Sequence, residues 1–276
     1  MHDEAVTTTS HGTVLLTGAR GRIGRATAKR LSRAGWEVRT FDLVDGEDLC
    51  DLDAVHAAAA GCDVIVHAGA IVHDSVGTPD QIHATNVVGT GNVLDAAEHH
   101  GASRVVLFSS IQVFGCGHDG REPAYLPVDD DHPRLGTRPY ALSKRQNEDL
   151  AESWSARTGV PTVALRPVTT VDDGTMAGLD PTALEFGGVV HVDDVARAVV
   201  QALDADVQGH VRILLGASDT IDTSRARSVL GWAPRRRSAV VRVCVVQLRR
   251  VGRRAGALSA RLLDTRAWRN RQTRQV

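Results

Sequence analysis

Apolar residues along this chain fall in short runs separated by longer stretches of helical periodicity. The run Thr13-Val14-Leu15-Leu16-Thr17 is halted by Gly18 and reads as a buried strand. Residues 22–34 then place Ile23, Ala26, Ala28 and Leu31 at helical spacing, with Gly35 as a stop. The same reading predicts strands at 36–41, 63–67, 104–108 and 161–165. Helices are predicted over 80–100, with Val87, Val88, Val93, Leu94 and Ala97 as its apolar positions, and over 138–158. Strands alternating with helices imply βαβ units, and hence an α/β fold with a doubly wound parallel sheet of the Rossmann type. Residues 115–137, rich in Gly, Pro and Asp, read as a long loop. At 276 residues the chain fits one large domain, or one with a small appendage.

Charge changes that picture at one end only. Residues 235–276 hold thirteen arginines and one aspartate, a net +12, against −13 for residues 1–234. An acidic body argues against nucleic acid as a partner. The basic tail, which contains the valine-rich stretch 240–246, reads as a solvated appendage. Cys50, Cys62, Cys116 and Cys244 form no Cys-x-x-Cys pattern, and neither they nor His99, His100 and His118 make a zinc-like set, so no metal is expected. With no apolar leader at 1–12 and no run long enough for a membrane span, the expected location is the cytoplasm.

The chemistry sits at strand ends. Thr17-Gly18-Ala19-Arg20-Gly21-Arg22-Ile23-Gly24 closes the first strand and opens the first helix. Gly18 suits a tight turn, Gly21 lets a pyrophosphate approach the backbone, and Gly24 lets the helix pack on the sheet. Asp42, 24 residues after Gly18, can accept the two ribose hydroxyls of an adenosine and repel a 2′-phosphate, which favours NAD. Arg20, Arg22 and Arg39 lie near the same corner and keep NADP as the second choice. Asp51-Leu52 reads either as a border to the adenine or as a helix cap. Ser109-Ser110 follows the fourth strand at the carboxyl edge, where open α/β sheets bind ligands. Asn86 reads as a helix residue bonding backbone or as a simple polar position, and one aspartate of His191-Val192-Asp193-Asp194 reads as a helix cap.

Tyr140 and Lys144 stand four apart in the helix predicted over 138–158, in a chain with two tyrosines and with lysine only at 29 and 144. The spacing makes either an ordinary surface pair or an acid–base pair, in which the ammonium favours the phenolate.

As a set these motifs resemble the extended short-chain dehydrogenase/reductases, the NAD-dependent epimerase/dehydratases typified by UDP-galactose 4-epimerase. Further marks are His67-Ala68-Gly69-Ala70, Asn86-Val-Val-Gly-Thr90, Ser109-Ser-Ile-Gln-Val-Phe-Gly115, Leu165-Arg166-Pro167, His191-Val-Asp-Asp-Val-Ala196 and Leu230-Gly-Trp-Ala-Pro234. The resemblance implies an NAD-binding domain over 13–167, whose cofactor-binding residues include His67, Ala68, Gly69, Ala70, Asn86, Ser109, Tyr140, Lys144, Arg166 and Pro167. It also implies a small substrate lobe over 168–234 interleaved with the core, between a flexible start at 1–12 and the basic tail. It implies that Ser110 orients a reacting hydroxyl, that Tyr140 is the acid–base, and that Lys144 binds nicotinamide ribose and lowers the phenol's pKa. Moving a phenol from about 10 to about 7 asks for roughly 4 kcal/mol. The implied substrate is a sugar or nucleotide-sugar hydroxyl, and the implied assembly a homodimer through a four-helix bundle that includes the Tyr140 helix. Two departures stand out. Phe114 replaces the motif's usual tyrosine, and only 23 residues separate Pro167 from His191, without the Tyr-Gly that opens a nucleotide-sugar lobe. That compactness is similar to uronate dehydrogenases, which oxidise a free sugar acid at carbon 1. Tyr125-Leu-Pro-Val-Asp129 looks more like the epimerases, and a non-catalytic NAD-binding regulator is the further alternative.

Overall fold

A computed structural model describes residues 11–117, 119–177 and 188–236. Residues 1–10, most of the basic tail with Cys244, His118 and the middle of the short segment before His191 lie outside the described residues. Six strands, β1 Thr13–Thr17, β2 Glu37–Phe41, β3 Val64–His67, β4 Val105–Phe108, β5 Thr162–Pro167 and β8 His210–Leu215, form one parallel sheet in the order β2-β1-β3-β4-β5-β8. A second parallel pair, β6 Thr169–Val171 and β7 Val189–His191, forms the smaller sheet of the substrate lobe.

Alternation along each strand sends side chains to opposite faces. Val14 and Leu16 of β1, with Val64, Val66, Val106 and Phe108, pack on one face. That face is covered by α1 Arg22–Arg33, α7 Val192–Asp204 and α8 Ser224–Leu230, through Leu31, Val195, Val199, Ala226 and Leu230. Leu15, Ile65, Val105 and Leu107 face the other way. They meet α2 Leu52–Ala59, α4 Gly89–His99 and α5 Pro139–Thr158 through Val55, Val93, Leu94, Ala97, Ala151 and Trp154. Sequence order reverses between β1 and β3, so a crevice opens at their carboxyl ends.

Three expectations are corrected. The helix predicted over 80–100 is a short α3, Pro79–Ile82, then a π-helical turn at His83–Val88, then α4. Asn86 sits in that wide turn and bonds backbone outside its own helix: its Oδ1 accepts from Ile71 N at 2.8 Å and its Nδ2 donates to Ile71 O at 2.9 Å. The cap of α7 is His191, whose Nδ1 accepts from Asp193 N at 3.1 Å; Asp194 is instead buried against Arg197. Strand β8, which no run in the 161–236 region announced, alternates polar and apolar only at its start before Ile213-Leu214-Leu215 enter the core.

A buried ion pair holds α5 to the sheet. Glu148, fully buried, meets Arg166 of β5 with two hydrogen bonds of 2.7 Å, and accepts a third from Ser109 Oγ at 2.6 Å. Arg134 at 3.2 Å and Arg212 at 3.3 Å add positive charge. Burial alone would raise the Glu148 carboxyl, but hydrogen bonding and charge from Arg166, then Ser109 and Arg134, hold it below the usual carboxylate range. Arg166 also donates to Asp130 O at 2.8 Å and stacks on Phe114, whose ring centroid lies 5.1 Å away.

Glu148→Ala strands a buried guanidinium and is expected to cost about 3–5 kcal/mol in urea unfolding. The pH response should come from Asp130, which caps Leu214 N and which burial pushes up to about 7, against the lowering effect of Arg225. Its folded pKa lies above an unfolded value of about 3.9. The stability it contributes is therefore complete below about pH 4 and lost as pH rises through about 7. Urea titrations between these pH values should show that fall in the native protein and a flatter profile in Asp130→Asn.

Candidate active site

Pro139 opens α5 at a position where its missing N–H costs nothing. Tyr140, Lys144 and Glu148 follow at intervals of four, and all three are buried toward the sheet. The backbone N–H of Tyr140 is tied to Asp74 Oδ1 at 2.7 Å, and its phenol is hydrogen-bonded to the Ser110 side chain. Ser110 caps the short helical turn Ile111–Phe114 through Gln112 N at 3.2 Å. Asn86 Nδ2 donates to Ser143 Oγ at 3.0 Å, which joins the π-helical turn to α5. The structure thus brings Ser110, Tyr140 and Lys144 together at the carboxyl edge.

The electrostatics differ from the expected arrangement in one respect. Lys144 Nζ donates to Phe108 O at 2.8 Å and lies 5.9 Å from the Tyr140 ring centroid. The phenol is raised to about 12, first by burial and then by Asp74, with only Ser110 pulling it down. The protein's own groups therefore keep Tyr140 protonated, where Lys144 was expected to lower it. Lys144 is itself lowered to about 8 by burial, with Glu148 opposing. One of its three N–H donors serves Phe108, and two remain for a ligand.

The glycine turn lies at the β1–β3 crevice. Gly18 has φ +69°, and a Cβ there would stand 2.5 Å from Gly69 N, so no other residue fits. A Cβ on Gly24 would run into Gly18 O and Ala19. At Gly21 a Cβ would meet only Gly18 O, at 3.3 Å. Packing within the chain therefore leaves space at Gly21, as close approach of a pyrophosphate requires. Gly21 caps α1 without a side-chain bond, and no acidic residue lies in the first turn, so the first N–H groups, including those of Arg22 and Ile23, keep their attraction for phosphate.

Asp42 is held at the end of β2 by Arg20 N at 2.8 Å and Val44 N at 3.0 Å, with its carboxylate at the surface. The three arginines that kept NADP in view are engaged elsewhere. Arg20 pairs with Asp45 at 2.7 Å, Arg22 donates to Thr170 O at 2.7 Å, and Arg39 donates to Ala58 O at 2.9 Å. The residues present therefore fit NAD: Gly18, Gly21 and Gly24 would hold its pyrophosphate, Asp42 its adenosine ribose and Lys144 its nicotinamide ribose.

Other predicted contacts divide. Asp51 caps α2 through Ala54 N at 3.0 Å, which explains it without a ligand, and Leu52 is exposed beside it. His67 is buried between Thr17 Oγ1 at 2.7 Å and Thr90 Oγ1 at 3.0 Å, and burial then Lys144 push its pKa down to about 3. Its ring is committed to the scaffold, whereas Ala68, Gly69 and Ala70 follow β3 into the crevice facing Gly18. Ser109, Arg166 and Pro167 lie in the packed layer behind the pair, the first two bonded to Glu148. Sequence reasoning missed Asp74 and Glu148. Glu148 was readable as the next member of the Tyr140, Lys144 series; Asp74, in an irregular loop, left no signal.

Residues 14–177 match the NAD dependent epimerase/dehydratase family, and the chain belongs to that family. That family is one of NAD(P)-dependent oxidoreductases with a Rossmann-like fold. Within the family the chain is 31% identical to a uronate dehydrogenase of Pseudomonas syringae pv. tomato over 87% of each chain. A uronate dehydrogenase of Pseudomonas putida is 28% identical over 87% of this chain and 90% of its own. Among solved structures, uronate dehydrogenase from Agrobacterium tumefaciens superposes with a TM-score of 0.68 at 28% identity, covering 86% of this chain and 89% of that one.

Tyr140→Phe keeps the ring and removes the proton-carrying oxygen. Turnover should fall by about two orders of magnitude or more while NAD affinity, read by calorimetric titration, stays within a few-fold of the native value.

Proposed function

We propose that this protein is an NAD-dependent dehydrogenase that oxidises the carbon 1 hydroxyl of a free sugar acid and releases NADH. The observation that carries this is similarity to uronate dehydrogenases along nearly the whole chain, including the compact lobe after Pro167. Those findings favour the dehydrogenase over the epimerase or dehydratase that the motifs first suggested. The epimerase-like stretch from Tyr125 has a local explanation, since Tyr125 Oη donates to Asp129 Oδ1 at 2.5 Å within its own loop.

In this reading Ser110 and Tyr140 receive the substrate hydroxyl between them. Tyr140 takes the hydroxyl proton as the C–O bond becomes C=O, and Ser110 holds the oxygen in line. Bound NAD supplies the acceptor for the hydride leaving carbon 1. Lys144 orients the nicotinamide ribose with its two remaining donors. Because the phenol starts near 12, reaching a neutral-pH base asks for roughly 7 kcal/mol of added preference for the phenolate, more than an unperturbed tyrosine would need. The positive charge of an oxidised nicotinamide is one such source. Retention of Ser110, Tyr140 and Lys144 in one buried cluster favours an enzyme over a cofactor-binding regulator.

A homodimer through α4 and α5 belongs to the same proposal. Leu142 and Leu150, eight residues apart on α5, are exposed at 41% and 38%, as is Val88 beside α4 at 47%. No helix among the described residues is long and apolar enough to cross a membrane. A cytoplasmic location is supported by Cys50, Cys62 and Cys116 being free thiols.

Uronic acids, aldoses and UDP- or dTDP-sugars, each supplied with NAD, test this directly by NADH absorbance and by isomer analysis. NADH should accumulate with a free uronic acid. Isomerised nucleotide sugar without NADH release would return the assignment to the epimerases.

A further inference from the structure

We propose that His56, His99, His100 and Asp95 form a binding site for a divalent transition-metal ion of the zinc class, remote from the catalytic centre. The three histidines offer ligand atoms that all lie within 4.8 Å of one another. Their rings meet edge-on, with centroids 5.0 Å apart for His56–His99, 5.4 Å for His56–His100 and 4.8 Å for His99–His100. Sequence spacing hid the set, because His56 lies on α2 and the adjacent pair at the end of α4. Packing of these two helices side by side brings them together.

Three further observations point to a cation. First, His100 Nε2 is shielded from solvent and has no hydrogen-bond partner, a position that costs free energy unless something occupies its lone pair or proton. Second, Asp95 Oδ2 lies 2.9 Å from His56 Nε2, the carboxylate–histidine pairing that commonly orients a ligating imidazole, and it adds negative charge. Third, His56 and His99 occupy the last turns of their helices, where the backbone dipoles favour positive charge. Imidazole ligands select zinc, nickel, cobalt or copper, while magnesium and calcium prefer oxygen. Zinc bonds of about 2.0–2.1 Å in a tetrahedron put ligand nitrogens roughly 3.4 Å apart. Rotation of these half-buried and exposed side chains by about 1 Å closes the set to that geometry.

Helices in βαβ units run opposite to the strands, so the ends of α2 and α4 lie at the amino edge of the sheet. The glycine turn, Ser110 and Tyr140 lie at the carboxyl edge. A metal here would staple α2 to α4 and act on stability, leaving hydride transfer to the other end of the molecule.

The test uses untagged full-length protein stripped with a chelator and titrated with Zn2+ or Mg2+ by calorimetry and thermal unfolding. One Zn2+ should bind per chain, and at about 100 times its Kd should raise Tm by roughly 5 °C, with no such response to Mg2+. A His99→Ala/His100→Gln double variant should bind Zn2+ at least about tenfold more weakly while still binding NAD. His56→Gln, which removes the ligand on the other helix, should show the same loss and so guards against local misfolding of the α4 end. Absence of Zn2+ binding to the native protein would overturn the site. So would unchanged affinity in both variants.

Discussion

The buried bond between Glu148 and Arg166 sets the geometry of everything that follows. Glu148 has no exposed surface and Arg166 almost none, so neither charge has water to fall back on. Because Glu148 lies on the same stripe of α5 as Tyr140 and Lys144, fixing its carboxylate to β5 fixes the rotation of that helix. Ser109 joins the same carboxylate, which places its neighbour Ser110 at the phenol. One ion pair thereby couples the end of β4, the end of β5 and the helix that carries Tyr140.

That arrangement delivers a tyrosine that the protein alone keeps protonated. Burial dominates at Tyr140, and the neighbouring Asp74 works in the same direction. Lys144 spends one donor on the carbonyl of Phe108, and its ammonium lies over the Tyr140 ring, 5.9 Å from the centroid. In the proposed mechanism, a base strength matched to neutral pH depends on the charge that a bound oxidised cofactor would bring. In that mechanism the chemistry is thus coupled to cofactor binding through the charge of the nicotinamide.

Much of this was legible in the sequence because it is periodic or local. Strands β1 to β5 and helices α1 and α5 follow from apolar spacing, and the glycine turn from three positions whose Cβ would clash or fill a cradle. What escaped depends on contacts far apart in the chain. In the π-helical turn, the Asn86 side chain reaches back to Ile71 in the loop after β3. His67 looked like part of a cofactor motif, yet its ring satisfies Thr17 and Thr90 inside the core. Asp74 and the three-histidine cluster are products of packing, with partners 66 and about 40 residues away.

The central claim is direct hydride transfer from a free sugar acid to a cofactor that then leaves. A uronic acid carrying deuterium at carbon 1 tests it in one measurement, by mass analysis of both products. Deuterium is expected in the released NADH, with the sugar product free of it. Deuterium retained in the sugar, with no reduced cofactor in solution, would contradict the claim.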